Sequence, residues 1–211
     1  MADIEKHGKK KRPQVQDYPL WQLEKIAQEA LTGADDCLQK YRVDIEKLIE
    51  NKYKLLIDVH YGLQQKFGVM AYMLTHGNRL FIDDKLIDDP RLAKRYRVTL
   101  AEELAHFIIH RELYKECNTV DERIQMELSL TRQEQWFLET NAKALASAIL
   151  IPKSLIERRV EQLISDTDKD PQHTSSIINI LSHDFDVNPT AIRRRLINLG
   201  YRKRSNLRLM E

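Results

Sequence analysis

Cysteine is nearly absent from the sequence: Cys37 and Cys117 are the only two, and they stand far apart along 211 residues. Two such thiols exclude a disulfide framework and fit a reducing setting. Long apolar runs are missing too, so nothing is expected to span a bilayer, and no secretory apolar segment stands at the start. A cytoplasmic location without membrane contact is the expectation. Glycine and proline number six each, too few for low-complexity tracts, and no internal repeat occurs. Neither charge dominates, with 34 Lys and Arg against 32 Asp and Glu. A net charge of +2 argues neither for nor against a polyanionic partner.

What is present is a chain able to bury one respectable core, with 42% hydrophobic and 31% charged residues. Basic residues gather at its ends, in Lys6 to Arg12 and in Arg193 to Arg195 and Arg202 to Arg204. Such runs are solvated tails or, alternatively, nucleic-acid contacts. Residues 1–17 read as a disordered basic tail, 18–165 as the main domain, 166–204 as a helical extension and 205–211 as a second tail. Leu20, Leu23, Ile26, Ala27, Ala30 and Leu31 repeat at helical spacing, and a short helix follows Asp44. LLIDVHYGL, FGVMAYML and NRLFIDDKL read as strands of a small antiparallel sheet, the last two joined by a THGN turn. From Pro90 onward the pattern is helical. One helix runs from about Pro90, or in two pieces from Thr99, to Tyr114; another covers Arg132 to Leu150 and stops at Pro152. The predicted class is α+β, with the small sheet packed on a helical core.

The stretch TLAEELAHFIIH, Thr99 to His110, carries the chemistry. Residues four apart on a helix stand above one another, so Glu102, His106 and His110 share a stripe, and Glu103 points about 100° away. In H-E-x-x-H the two histidines bind zinc and the glutamate is the base. Here the segment reads E-E-x-x-H, with Glu103 placed as the base, His106 as a ligand and Glu102 where the first histidine would be. A third ligand must come from elsewhere. Glu139 heads a helix face continued by Ala142, Ala146 and Ile149, from which a carboxylate could reach His106; Asn141 is the nearest substitute, on a different side. His110 lies two turns, about 12 Å, from Glu102, too far to share an ion, and reads as a packed or hydrogen-bonded histidine.

RLFIDDKL, RYRVTLAEELAHFIIH, ETNAKALASAILIPKSL and FDVNPTAIRRRLINLGY resemble, in that order, the blocks of the ImmA/IrrE metallopeptidase family, over roughly Ile26 to Tyr201. The resemblance implies a zincin-like helical core with Glu103 as base, His106 as the second histidine ligand and Glu139 as the carboxylate ligand. Glu102 departs from the family's first histidine. Leu145 and Ile151 replace Phe and Met, mild apolar exchanges. The implied activity is that of a cytoplasmic zinc-dependent endopeptidase acting on a helix-turn-helix repressor, in a mobile-element or stress-response setting. The alternative is a catalytically inactive member that regulates by binding a repressor or DNA.

Three readings of Glu102 compete. As a ligand with His106 and Glu139, it would give two carboxylates that cancel a dication's charge, shifting preference from Zn²⁺ toward Mn²⁺ or Fe²⁺. As a cap, Thr99-Leu-Ala-Glu102 is a capping-box sequence worth about 1 kcal/mol. Without metal, Glu102, Glu103 and Glu139 would repel one another, so at least one must bind a proton or a cation.

The last two predicted helices, SSIINILSHDF and PTAIRRRLINLG, have a helix-turn-helix rhythm, with Ala191, Ile192, Leu196 and Leu199 inward. Arg193, Arg194 and Arg195 are expected largely outward, where they form either a phosphate-contacting or a merely solvated surface.

Overall fold

Leu23, Ala27 and Ala30 give the first helix, α1 (Leu20–Leu31), a single buried face. Two-residue strands β1 (Leu38–Gln39) and β2 (Arg42–Val43) pair antiparallel after it. Asp44 then caps α2 (Ile45–Lys47) by accepting the Lys47 backbone N–H, and the helix runs on as a π-helical turn through Leu48–Lys52. The structure, a computed structural model, describes residues 14–74, 77–167 and 176–201. Lys6 to Arg12, His76, His173, Arg202 to Arg204 and the 205–211 tail lie outside those residues.

The main sheet comprises β3 (Leu56–His60), β4 (Ala71–Leu74) and β5 (Arg79–Asp83), with α3 (Leu63–Phe67) between β3 and β4. β4 and β5 form the expected antiparallel hairpin, with Leu74 opposite Arg79. Gly77 and Asn78 both take positive φ in its turn (87° and 50°), a conformation these two residue types tolerate best. The third strand differs from expectation. α3 carries the chain from β3 to the far edge at β4, and β5 returns into the middle, so β3 pairs parallel with β5. The sheet is therefore mixed.

After α4 (Lys85–Asp88), the Asp89 carboxylate accepts the Arg91 N–H to open a 3₁₀ turn at Pro90–Leu92, which leads directly into α5 (Ala93–Tyr114). This helix is continuous. Thr99 lies six residues inside it, so its N–H belongs to the helical ladder and Glu102 has no cap to make. The same Thr-x-x-Glu pattern does cap two other helices. Thr119 and Glu122 form a capping box on α6 (Val120–Leu128), a helix the periodicity did not reveal, and Thr131 and Glu134 form one on α7 (Arg132–Leu150).

Past Pro152 come α8 (Lys153–Thr167), α9 (Ser176–Asp184) and α10 (Pro189–Asn198), with Gly200 at φ 85° just beyond the last. A single apolar cluster joins Leu23 of α1, Leu80 of β5, Leu104 of α5, Leu145 of α7, Ile156 of α8, Phe185 after α9 and Leu196 of α10. The final helix pair is thus built into the common core. Among the described residues no helix is long and apolar enough to cross a membrane.

Order also begins earlier than Tyr18. Val15 is buried, at 8% exposure, among Leu113, Tyr114, Cys117, Leu130 and Leu138, so part of the expected tail is held against the fold. Its aliphatic side chain supplies the reason.

Candidate functional site

α5 and α7 lie side by side and bring the predicted residues to one region. Glu103 and His106, at 8% and 6% exposure, point into the protein. Glu102 is half-buried and Glu139 is exposed. Glu103 and Glu139 each pair with a cation from the protein itself.

Glu103 accepts a 2.8 Å hydrogen bond from Nη1 of Arg123, on the unexpected helix α6. Arg123 also donates through Nε to Glu127 at 3.0 Å, and its guanidinium lies 4.4 Å from the centre of the Tyr114 ring. The Tyr114 hydroxyl donates to the same Glu127 oxygen at 2.8 Å. Burial opposes the Arg123 charge, yet Glu103, Tyr114 and Glu127 hold it firmly protonated. Burial likewise pushes the Glu103 carboxyl up, and Arg123 opposes this. Glu103 and Arg123 thus form one internal ion pair.

On the other side, Lys143 Nζ lies 2.7 Å from Glu139 Oε2. That hydrogen bond holds the Lys143 ammonium above its ordinary range, and the charge of Glu102 adds to it. Glu102 itself is pushed up to about 7, first by burial and then by Glu139 and Glu103, with Lys143 pulling the other way. The mutual repulsion expected of three carboxylates is therefore met by a raised affinity for a proton at Glu102 and by the cations Arg123 and Lys143.

His106 does not face an open position. Its Nδ1 is 3.1 Å from Nδ1 of His110, and one proton must lie between them. Burial and then Arg123 depress both imidazoles, His106 well below its usual range with the facing His110 adding to it, and His110 to about 4, so both are neutral. His110 Nε2 is the one buried side-chain nitrogen or oxygen without a partner among the described residues. The tautomer that leaves a bare lone pair there, instead of an orphaned N–H, places the shared proton on His110 and makes His106 Nδ1 the acceptor. Neutral His106 then carries its own proton on Nε2.

Among the described residues, no three His, Cys, Asp or Glu side chains are grouped so as to hold a metal ion. Glu102, His106 and Glu139 do not form such a group as arranged. Arg123 is the participant that sequence reading missed, because α6 was missed; the Thr119–Glu122 capping box was the available signal.

Of the three arginines, Arg193 and Arg194 are exposed, but Arg195 is not. At 2% exposure it pairs with Glu24 of α1 and donates from Nε to the Ile151 carbonyl at 2.9 Å. On α10, position 195 falls on the stripe of Ile192 and Leu196, so its long side chain turns inward and finds a carboxylate. Arg194 instead lines a cavity of about 200 Å³ with Glu102, Val98, Lys143, Ala146 and Thr190. Lys94 and Arg97 of α5 reach the turn before α10, at the Val187 carbonyl (3.1 Å) and the Asp186 carbonyl (3.2 Å). The helix pair is thereby stapled over the candidate site.

Residues 77–196 match the model of the IrrE N-terminal-like domain, a peptidase family. The solved structure of a Mycobacterium tuberculosis transcriptional regulator resembles this chain with a TM-score of 0.55 at 16% identity, a likeness of fold. The match covers 89% of this chain and 49% of that one, so the chain spans about half the regulator's length. No curated protein matches.

Proposed function

Because the chain belongs to the IrrE N-terminal-like domain family, we propose that it is a metallopeptidase-like regulatory protein that acts by binding, without hydrolysis, and that its partner is a helix-turn-helix repressor. The observation that carries this reading is the 2.8 Å contact between Arg123 and Glu103. A general base must hold a lone pair ready for water's proton. A carboxylate buried against a guanidinium has its charge already engaged, and freeing it would break a buried ion pair and leave Arg123 to Glu127. His106, committed to His110, supports the same conclusion. A zinc-dependent endopeptidase using Glu102, His106, Glu139 and Glu103 would have to dismantle both arrangements. A DNA-binding role draws less support, since Arg195 serves the core.

The test is to purify the chain with Zn²⁺, Mn²⁺ or Fe²⁺ present, measure retained metal, and incubate it with the helix-turn-helix repressor encoded nearest its gene. The expected result is well under one bound ion per chain, an intact repressor and a stable complex. Cleavage that a chelator or Glu103→Gln abolishes would overturn the proposal.

A further inference from the structure

The N-terminal segment is held in the manner of a bound peptide. Asn141, at 3% exposure, uses its whole amide on that segment: Nδ2 donates to the Gln16 carbonyl at 2.7 Å and Oδ1 accepts the Tyr18 N–H at 3.3 Å. A side-chain amide imitating a peptide group and gripping an extended backbone at two points is a peptide-recognition device. Val15 supplies the apolar anchor, set among Leu113, Tyr114, Cys117, Leu130 and Leu138, and Gln16 and Asp17 between the grips are exposed.

We infer that the groove between the end of α5 and the first half of α7, as far as Asn141, is a peptide-binding groove, kept shut by the chain's own Val15–Tyr18. Its outside ligand is an extended protein segment with a small aliphatic residue at one position, a carbonyl at the next and an N–H two positions further on. Proline cannot occupy that last position, because it has no N–H to give Asn141. One anchor and two hydrogen bonds favour the closed state by roughly a hundredfold to a thousandfold, a margin a competing segment can overcome.

The groove also communicates with the centre already described. Tyr114, which walls Val15, sets its ring centre 6.0 Å from that of His106 and shares Glu127 with Arg123. Exchange of the strap for another segment therefore acts on the same residues. The inference stands on Asn141 and Val15 and does not depend on whether the chain hydrolyses peptides.

The test uses the full chain carrying Val15→Asp, which unseats the anchor, and a synthetic peptide of residues 11–19, KRPQVQDYP. Calorimetric titration should show the peptide binding the variant at least tenfold more tightly than the wild type. A peptide with proline in place of Tyr18, or the further substitution Asn141→Ala in the variant, should lose that binding. Equal binding to both chains, or none to a variant with native circular dichroism, would overturn the inference. A second readout covers the case in which the variant does not fold. In the wild type, the Tyr18 amide should exchange with solvent at least a hundredfold faster than central amides of α7; equal protection would make the segment a fixed part of the fold. A wild-type dimer that exchanges its straps between copies would likewise overturn it.

Discussion

The two ion pairs flanking His106 use the same chemistry in opposite surroundings. The Arg123 and Glu103 side chains are 7% and 11% exposed, and the pair is braced by Glu127 and Tyr114. The Lys143 and Glu139 side chains are 47% and 52% exposed, and they pair along one helix turn. Burial makes the first pair costly to break, since removing Arg123 strands the Glu103 charge; water makes the second nearly optional. The largest expected effect therefore comes from Arg123→Leu, which should cost about 3–5 kcal/mol in chemical denaturation. Adding Glu103→Leu should recover most of the loss. A single-variant cost below about 1 kcal/mol would erase the distinction between the two pairs.

Arg195 extends the comparison to a helix that looked surface-borne. It is as deeply set as Arg123 and answers both Glu24 and the Ile151 carbonyl. Arg195→Met should destabilise the chain by about 2–3 kcal/mol, and Arg193→Ala, one turn face away, by less than about 0.5 kcal/mol. Equal, small effects from both would return Arg195 to the surface.

Much of the fold was legible because it depends on periodicity and punctuation. The α1 stripe, the β4–β5 hairpin, the stop at Pro152 and the α9–α10 pair all follow local rules. The parallel partner of β5 was not legible, because strand order is decided by how α3 crosses the sheet. The site was legible in its positions and illegible in its pairing. Position along a helix placed Glu102, Glu103 and His106 correctly relative to one another, but nothing near them in sequence announces Arg123, 20 residues downstream of Glu103. The Thr99–Glu102 pattern misled for a related reason. A capping box works only where the chain enters a helix, and here Ala93 to Val98 are already helical.

Glu102 sits between the two surroundings, and its titration sharpens the contrast. Its carboxyl is raised to about 7 in the fold against an ordinary 4.5, so the folded state disfavours the charge. Stability is complete below about pH 4.5 and is lost as pH rises toward 7. Glu102→Gln cannot ionise, so it should match the wild type near pH 4.5. By pH 8 it should gain roughly 1 kcal/mol, a fraction of what the shift would give a fully buried group. Thermal melts in chelator across that range would check the sign.

The smallest effect belongs to the exposed pair. Lys143→Met should change stability by less than about 0.5 kcal/mol, because solvent supplies most of what Glu139 loses. It should nevertheless raise the midpoint of the Glu102 titration, since Lys143 is the largest influence holding that carboxyl down. A double-mutant cycle with Glu139→Gln isolates the direct coupling, expected below about 0.5 kcal/mol for an i,i+4 pair in water. A coupling above about 2 kcal/mol would mean that Lys143 is bound to this centre as tightly as Arg123, and the two sides of His106 would then have to be treated as one closed electrostatic unit.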